Sequence, residues 1–389
     1  MHSHQNLVIA GGIFSLLFLS AFLLSRLKVP YIVSFLISGF LGKLLFPHEA
    51  KELLSILELS AIILLFFFIG LEYSFERLMG MRRVIKPGLI DFVFNFFPAF
   101  LIAFLFTQNL LFSLIMGAVM YPSSTAITAK LLMDYRRLVS PEAELLIGVL
   151  IFEDLISIIL LSALTGIRFG GGFDTVSLLR GILAVVLVFT LFYLLIKPSQ
   201  RVFEYIYRKI DESLIPFAVL GFLLMSAGFG LSLGLSDALI AFMLGVLVPK
   251  ESEIYRTIER SLSDLKDIAV GVFFFMFTFK SQISLDINLW LLLLLLISGI
   301  LLKLFSTYMA SLMYDLSKRT AMRASLSFLQ RGEFSVIFAS LYEPTQSLAF
   351  FLVLTTALIG SFSFVYAPRL SERVFPKKEK KGPLPAPPA

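Results

Sequence analysis

The chain has 389 residues, of which 58% are hydrophobic and only 15% charged, and its mean hydropathy is +0.91. A soluble domain carries about 25% charged residues, so this chain lacks the polar surface to face water on every side. Without a single Cys it has no disulfides and no thiolate metal sites. In so apolar a chain, the formal charge of +6 reads as cytoplasmic loop cations and not as a nucleic-acid surface.

A bilayer core of about 30 Å needs roughly 20 apolar residues per helix. In chain order, apolar stretches run near 7–25, 30–46, 53–71, 87–106, 110–133, 142–165 and 177–197, then 214–232, 235–249, 265–279, 286–313, 322–343 and 347–368. They predict an all-α polytopic membrane protein of about thirteen transmembrane helices. The first stretch has no basic residue before it and no small-residue cleavage signature after it, so it reads as a retained helix. His2 and His4 read as part of a loose polar terminus. Gly170-Gly171-Gly172 reads as an outside loop and not a phosphate cradle, because no Lys-Ser/Thr follows. Most of the 33 Lys and Arg fall in alternate loops, which places the N-terminus outside and the C-terminus in the cytoplasm of an inner-membrane protein. Residues 1–376 form the transmembrane domain, and the charged, Pro-rich 377–389 predicts a disordered tail.

Ionisable residues inside these stretches carry the functional signal. Glu153 and Asp154 lie in the middle of 142–165, Lys303 lies well inside 286–313, and Arg331 and Glu333 flank Gly332 near the middle of 322–343. Each costs roughly 2.5–3.5 kcal/mol at mid-span on insertion scales, about 12–18 kcal/mol for the five. They must pair with one another or line a wet cavity. A carboxylate offers oxygen to a hard monovalent cation and also accepts a proton, and a single buried Asp taking either in turn is the minimum apparatus for exchange. The plainer alternative is an internal salt-bridge network that only holds helices together.

The 110–133 stretch contains Met120-Tyr121-Pro122-Ser123-Ser124-Thr125-Ala126. Pro removes a backbone donor and clashes with the preceding turn, and the three hydroxyl residues beside it satisfy or expose the freed carbonyls. In transporters such breaks near the midplane present helix ends to the ion; a simple Pro kink is the alternative. Gly332 marks a matching break in 322–343, and the two fall in corresponding positions of an inverted repeat about a linking seventh span. Weaker candidates are Glu72, read as interfacial, and Ser236 with Asp237, read as a helix cap. Glu142 and Glu144 read as helix-start carboxylates or as a cation funnel at the inner mouth.

Five segments together resemble the Kef-type and NapA-like branch of the monovalent cation:proton antiporters. They are Leu27-Lys28-Val29-Pro30 with Ser38-Gly39-Phe40-Leu41-Gly42, Leu65-Phe66-Phe67-Phe68-Ile69-Gly70-Leu71-Glu72, Pro122-Ser123-Ser124-Thr125-Ala126-Ile127, Phe152-Glu153-Asp154, and Arg331-Gly332-Glu333-Phe334. Lys303 stands where that family also has a Lys. The resemblance implies a NhaA-like fold in a homodimer moving like an elevator. In it a mobile core (about 87–165 and 286–368) works against a dimer-forming panel (about 7–71 and 214–279), joined by a linking span (about 177–197). It implies that Asp154 binds the cation, with Glu153, Ser123, Ser124 and Thr125 beside it and Lys303, Arg331 and Glu333 balancing charge. No cofactor is implied beyond the transported Na⁺ or K⁺ and H⁺, and no partner beyond the lipid bilayer, the ions and a second copy.

Na⁺/H⁺ antiport is the leading expectation. K⁺/H⁺ antiport of the Kef kind, without its nucleotide-binding regulatory domain, is the second. An intramembrane aspartyl protease needs a Gly-x-Gly-Asp context that the sequence does not contain, and paired acids and bases favour coupled exchange over a channel. Two stoichiometries remain open. Either Lys303 leaves Glu153 and releases a proton of its own, giving two protons per cation, or the pair is permanent and exchange is one for one.

Overall fold

The computed structural model describes residues 2–27, 29–47, 54–72, 82–169, 190, 194, 205, 207, 209–232, 237–281, 283 and 287–376. The elements formed there are helical: α1 (His2–Ser25), α2 (Tyr31–Leu45), α3 (Ser55–Glu72), α4 (Arg82–Thr107), α5 (Leu110–Met120), α6 (Thr125–Asp134) and α7 (Pro141–Phe169). They continue as α8 (Ile215–Ser232), α9 (Asp237–Leu247), α10 (Glu253–Lys280), α11 (Leu289–Met313), α12 (Lys318–Leu326), α13 (Glu333–Ser340) and α14 (Glu343–Val374). Six helices among the described residues are long and apolar enough to cross a membrane, five within α1, α4, α7, α11 and α14 and one, Glu212–Ser232, that includes α8, and α2, α3, α5 and α9 contain shorter apolar helices. All of the 177–197 stretch except residues 190 and 194, together with Gly170 to Gly172, Ser236 and the 377–389 tail, lies outside the described residues.

Helix starts follow the local chemistry. Asn109, Ser124, Asn288 and Ser317 each accept from the backbone N–H three residues on, capping α5, α6, α11 and α12. The 265–279 stretch is only the apolar end of α10, which begins at Glu253 behind a Ser252 cap. Its first half is rich in charge, so hydropathy hides it. Yet Ile254, Ile258 and Leu262, spaced every four residues, are buried, so an amphipathic stripe holds it as helix.

Two sets of helices pack chiefly within themselves. In one, α4 runs along α11, α5 and α7, and α12 and α13 lie on α14; in the other, α3 lies on α9 and α10, and α2 on α1 and α10. Lipid supplies no hydrophobic drive between apolar helices, so small residues that admit close approach decide such contacts. At Gly70 of α3 a Cβ would lie 2.0 Å from the Phe242 carbonyl oxygen, and at Gly245 of α9 one would lie 2.2 Å from that of Phe67. The sets meet through rings, Phe66 edge-on to Phe334 at 5.1 Å and Phe40 stacked on Phe350 at 6.3 Å.

Candidate functional site

The chain leaves helical form between Met120 and Thr125, and again between Leu326 and Glu333. Pro122 accounts for the first interruption, since it donates no hydrogen bond and Ser124 is then free to cap α6 by accepting from Ile127 N at 3.2 Å. The second contains no Pro and is held by contacts made with the first. Ser124 N donates to the Gln330 carbonyl at 2.8 Å. Gln330 Nε2 donates to Thr128 Oγ1 at 3.0 Å, and Ser335 Oγ donates to the Val119 carbonyl at 2.7 Å. A Cβ on Gly332 would stand 2.4 Å from Ser124 Cβ, so only glycine lets the interruptions meet this closely.

Around this contact the structure brings together the eight residues that the resemblance implies for the site, Ser123, Ser124, Thr125, Glu153, Asp154, Lys303, Arg331 and Glu333. Glu153 and Asp154 are fully buried on α7 and, as neighbours in a helix, point about 100° apart. Glu153 faces one side, where Ser123 N donates to Oε2 at 2.5 Å, Ser123 Oγ to Oε1 at 3.3 Å and Lys303 Nζ to Oε1 at 2.5 Å. Asp154 faces the start of α6, where Thr125 Oγ1 lies 3.3 and 3.2 Å from its two oxygens. A carboxylate beside the first turn of a helix also meets the positive end of the helix dipole.

Arg331 and Glu333 each turn to the opposite half. Arg331 Nη1 donates to the Tyr121 carbonyl at 2.8 Å and the Pro122 carbonyl at 3.4 Å, and its Nη2 donates to Asn95 Oδ1 at 3.0 Å. A cation thus covers carbonyl oxygens at the C-terminal end of α5, where the dipole is negative. Glu333, in the first turn of α13, accepts from Ser124 Oγ at 2.8 Å.

Sequence reasoning missed a second carboxylate on Lys303. Asp91 of α4 is 1% exposed; its Oδ2 accepts from Lys303 Nζ at 2.8 Å, and its Oδ1 from Ser306 Oγ at 2.8 Å and Asn95 Nδ2 at 3.0 Å. The signal was present as Asp91 and Asn95, four apart on one face of an otherwise apolar run.

Glu142 is not a funnel residue. It is fully buried, bridged by Arg137 at 2.9 Å and Arg323 at 2.5 Å, and so ties the start of α7 to the turn after α6 and to α12. Its neighbour Glu144 accepts from Tyr314 at 2.8 Å. Asp237 accepts from Ala238 N at 2.9 Å at the start of α9, while the side chain of Glu72 lies outside the described residues. A cavity of about 550 Å³ lies against α6, with Tyr31, Ile127, Lys130, Asp134 and Tyr366 in its walls. It reaches α6 two residues beyond Thr125.

Known proteins resemble the chain over most of its length. The family model for the transmembrane sodium/hydrogen exchanger matches residues 13–370. The chain is 32% identical over 378 residues to the ammonium/H⁺ antiporter subunit AmhT of Alkalihalophilus pseudofirmus, covering 95% of each chain. It is 28% identical over 333 residues to the K⁺/H⁺ antiporter subunit KhtU of Bacillus subtilis, covering 80% of this chain and 79% of that one. Its fold is similar to that of the sodium proton antiporter MjNhaP1 from Methanocaldococcus jannaschii, with a TM-score of 0.69 at 16% identity over 96% of this chain and 99% of that one. With the family model spanning most of its length, the chain belongs to the sodium/hydrogen exchanger family of membrane cation/proton antiporters.

Proposed function

We propose that the protein exchanges a monovalent cation for protons by alternating access, the two competing for the Asp154 carboxylate. One observation carries this reading: a fully buried carboxylate faces a hydroxyl at the start of a half-helix, where a second interrupted helix crosses it. Oxygen ligands suit a hard cation, and loss of that cation leaves a carboxylate able to take a proton. Seven-span spacing of the two interruptions supports an inverted repeat of six spans on either side of the 177–197 link. The set of α4–α7 with α11–α14 is the mobile core, and the set of α1–α3 with α8–α10 is the dimer-forming panel. Ring contacts such as Phe66 on Phe334 lie on the surface along which the core slides. The 550 Å³ cavity between α2, α6 and α14 is the inner approach to Asp154.

Na⁺ is the first expected substrate and K⁺ the second, and the name of AmhT adds ammonium. Purified protein in liposomes, loaded at one pH and given each salt in turn, tests both the reading and the choice. Cation-dependent proton release with at least one salt supports antiport, and release with none refutes it. The N-terminus outside and C-terminus in the cytoplasm are tested by reporters. One fused after Ala389 is cytoplasmic and one inserted within 170–176, beyond the end of α7, is external; both on one side would overturn the thirteen-span arrangement.

A further inference from the structure

Lys303 is shared. Its ammonium lies 2.8 Å from Asp91 Oδ2 and 2.5 Å from Glu153 Oε1, with all three side chains almost wholly buried. Both carboxylates are then supplied with further donors: Ser306 and Asn95 for Asp91, and the Ser123 backbone and hydroxyl for Glu153. Asn95 joins this triad to the remaining buried cation, because its Nδ2 donates to Asp91 while its Oδ1 accepts from Arg331. Four charged residues on four different segments therefore form one connected set, two negative and two positive. The ring of Phe328, 4.6 Å from Lys303 Nζ, closes one side. Asp154 points away from this set toward Thr125, and Glu333 is held on Ser124 at the start of α13.

We propose, resting on the antiport reading above, that Asp91, Lys303, Glu153 and Arg331 are a charge-balanced scaffold that exchanges nothing. Asp154 then alternates alone between cation and proton, and one cation is exchanged for one proton with no net charge moved. A lysine with a single carboxylate partner loses its counter-charge whenever that partner takes a cation or a proton, and gives up its own proton most readily then. Asp91 removes that step. Whatever happens at Glu153, Lys303 retains a carboxylate at hydrogen-bond distance, so Lys303 is not a second proton carrier. Asp91 acts through Lys303 and is a positioning residue.

The test begins with the wild type. Proteoliposomes hold the same cation and the same pH on both sides, and a thiocyanate gradient imposes the potential without adding a transported metal. Expected is no proton movement on imposing the potential, while a cation gradient at zero potential drives it. Potential-driven proton flux that reverses with the sign of the potential overturns the proposal. A wild type that exchanges no cation under any gradient refutes the antiport reading itself, and the proposal with it.

The second arm measures charge balance. Asp91→Asn leaves the scaffold with an excess positive charge near Asp154 and raises the cation KM about tenfold or more, with a smaller effect on kcat. The double variant Asp91→Asn with Lys303→Met removes one charge of each sign and brings KM back to within about threefold of wild type. A double variant no closer to wild type than Asp91→Asn alone, or an Asp91→Asn that lowers kcat with KM unchanged, overturns the scaffold. The wild-type voltage measurement decides the matter even if neither variant folds.

Discussion

Asp154→Asn inserts and folds as the wild type does, yet cation-dependent proton release falls at least about 100-fold. The substitution keeps the size of the side chain and an oxygen for the Thr125 hydroxyl 3.2 Å away, so the contact between α6 and α7 survives. It removes a buried charge, which in a membrane is costly to hold, and so the folded state is not penalised. What disappears is the group that binds a cation and, in its absence, a proton. Proton flux into dye-loaded proteoliposomes measures the loss, and melting of the solubilised protein confirms that it is folded. Robust exchange by this variant would sink the assignment of Asp154, leaving Glu333 as the buried carboxylate to examine next.

Much of this centre could be read from the sequence because a membrane makes polar residues conspicuous. Glu153, Asp154 and Lys303 stand out inside apolar runs, and all three are fully buried. The first interruption announces itself through Pro122 and its hydroxyl neighbours. The second is only half legible, since Gly332 marks its end but nothing local explains why helix stops at Leu326. Its cause is tertiary: Gln330 is engaged by Ser124 and Thr128, and Ser363 Oγ donates to the Leu326 carbonyl at 2.6 Å.

Partnerships were harder to read than positions. Arg331 and Glu333, two residues apart, look like a local pair, but each bonds to the interruption on the opposite half. No one-dimensional spacing encodes that exchange. Asp91 and Asn95 share a face of α4, yet their importance follows from meeting Lys303 and Arg331, more than 200 residues away in the chain. Charge that is mixed into an amphipathic helix misleads in the opposite sense, as the first half of α10 did.

Arg331→Met is expected to destabilise the solubilised protein by about 3–5 kcal/mol, the effect of breaking a buried charge network by removing one partner. The interruption after Met120 frees carbonyl oxygens that no helical N–H can reach, because Pro122 has none to give and α6 does not begin until Thr125. Arg331 answers the carbonyls of Tyr121 and Pro122 with one nitrogen and Asn95 with the other. Its planar fork therefore fixes the end of α5 against α4. Methionine fills much of the volume but leaves those acceptors without this donor, and leaves Asp91 and Glu153 with Lys303 as their remaining cation in the set. Arg331→Lys separates the two contributions. It keeps the charge but offers a single ammonium that cannot span both acceptors with the same geometry, so its loss of stability falls between methionine and wild type. Thermal melting in detergent, read alongside cation-dependent proton flux, gives the order wild type, Lys, Met for both quantities. A methionine variant that melts with the wild type would mean that the carbonyls at the end of α5 are satisfied without Arg331, and that the crossing does not depend on its guanidinium.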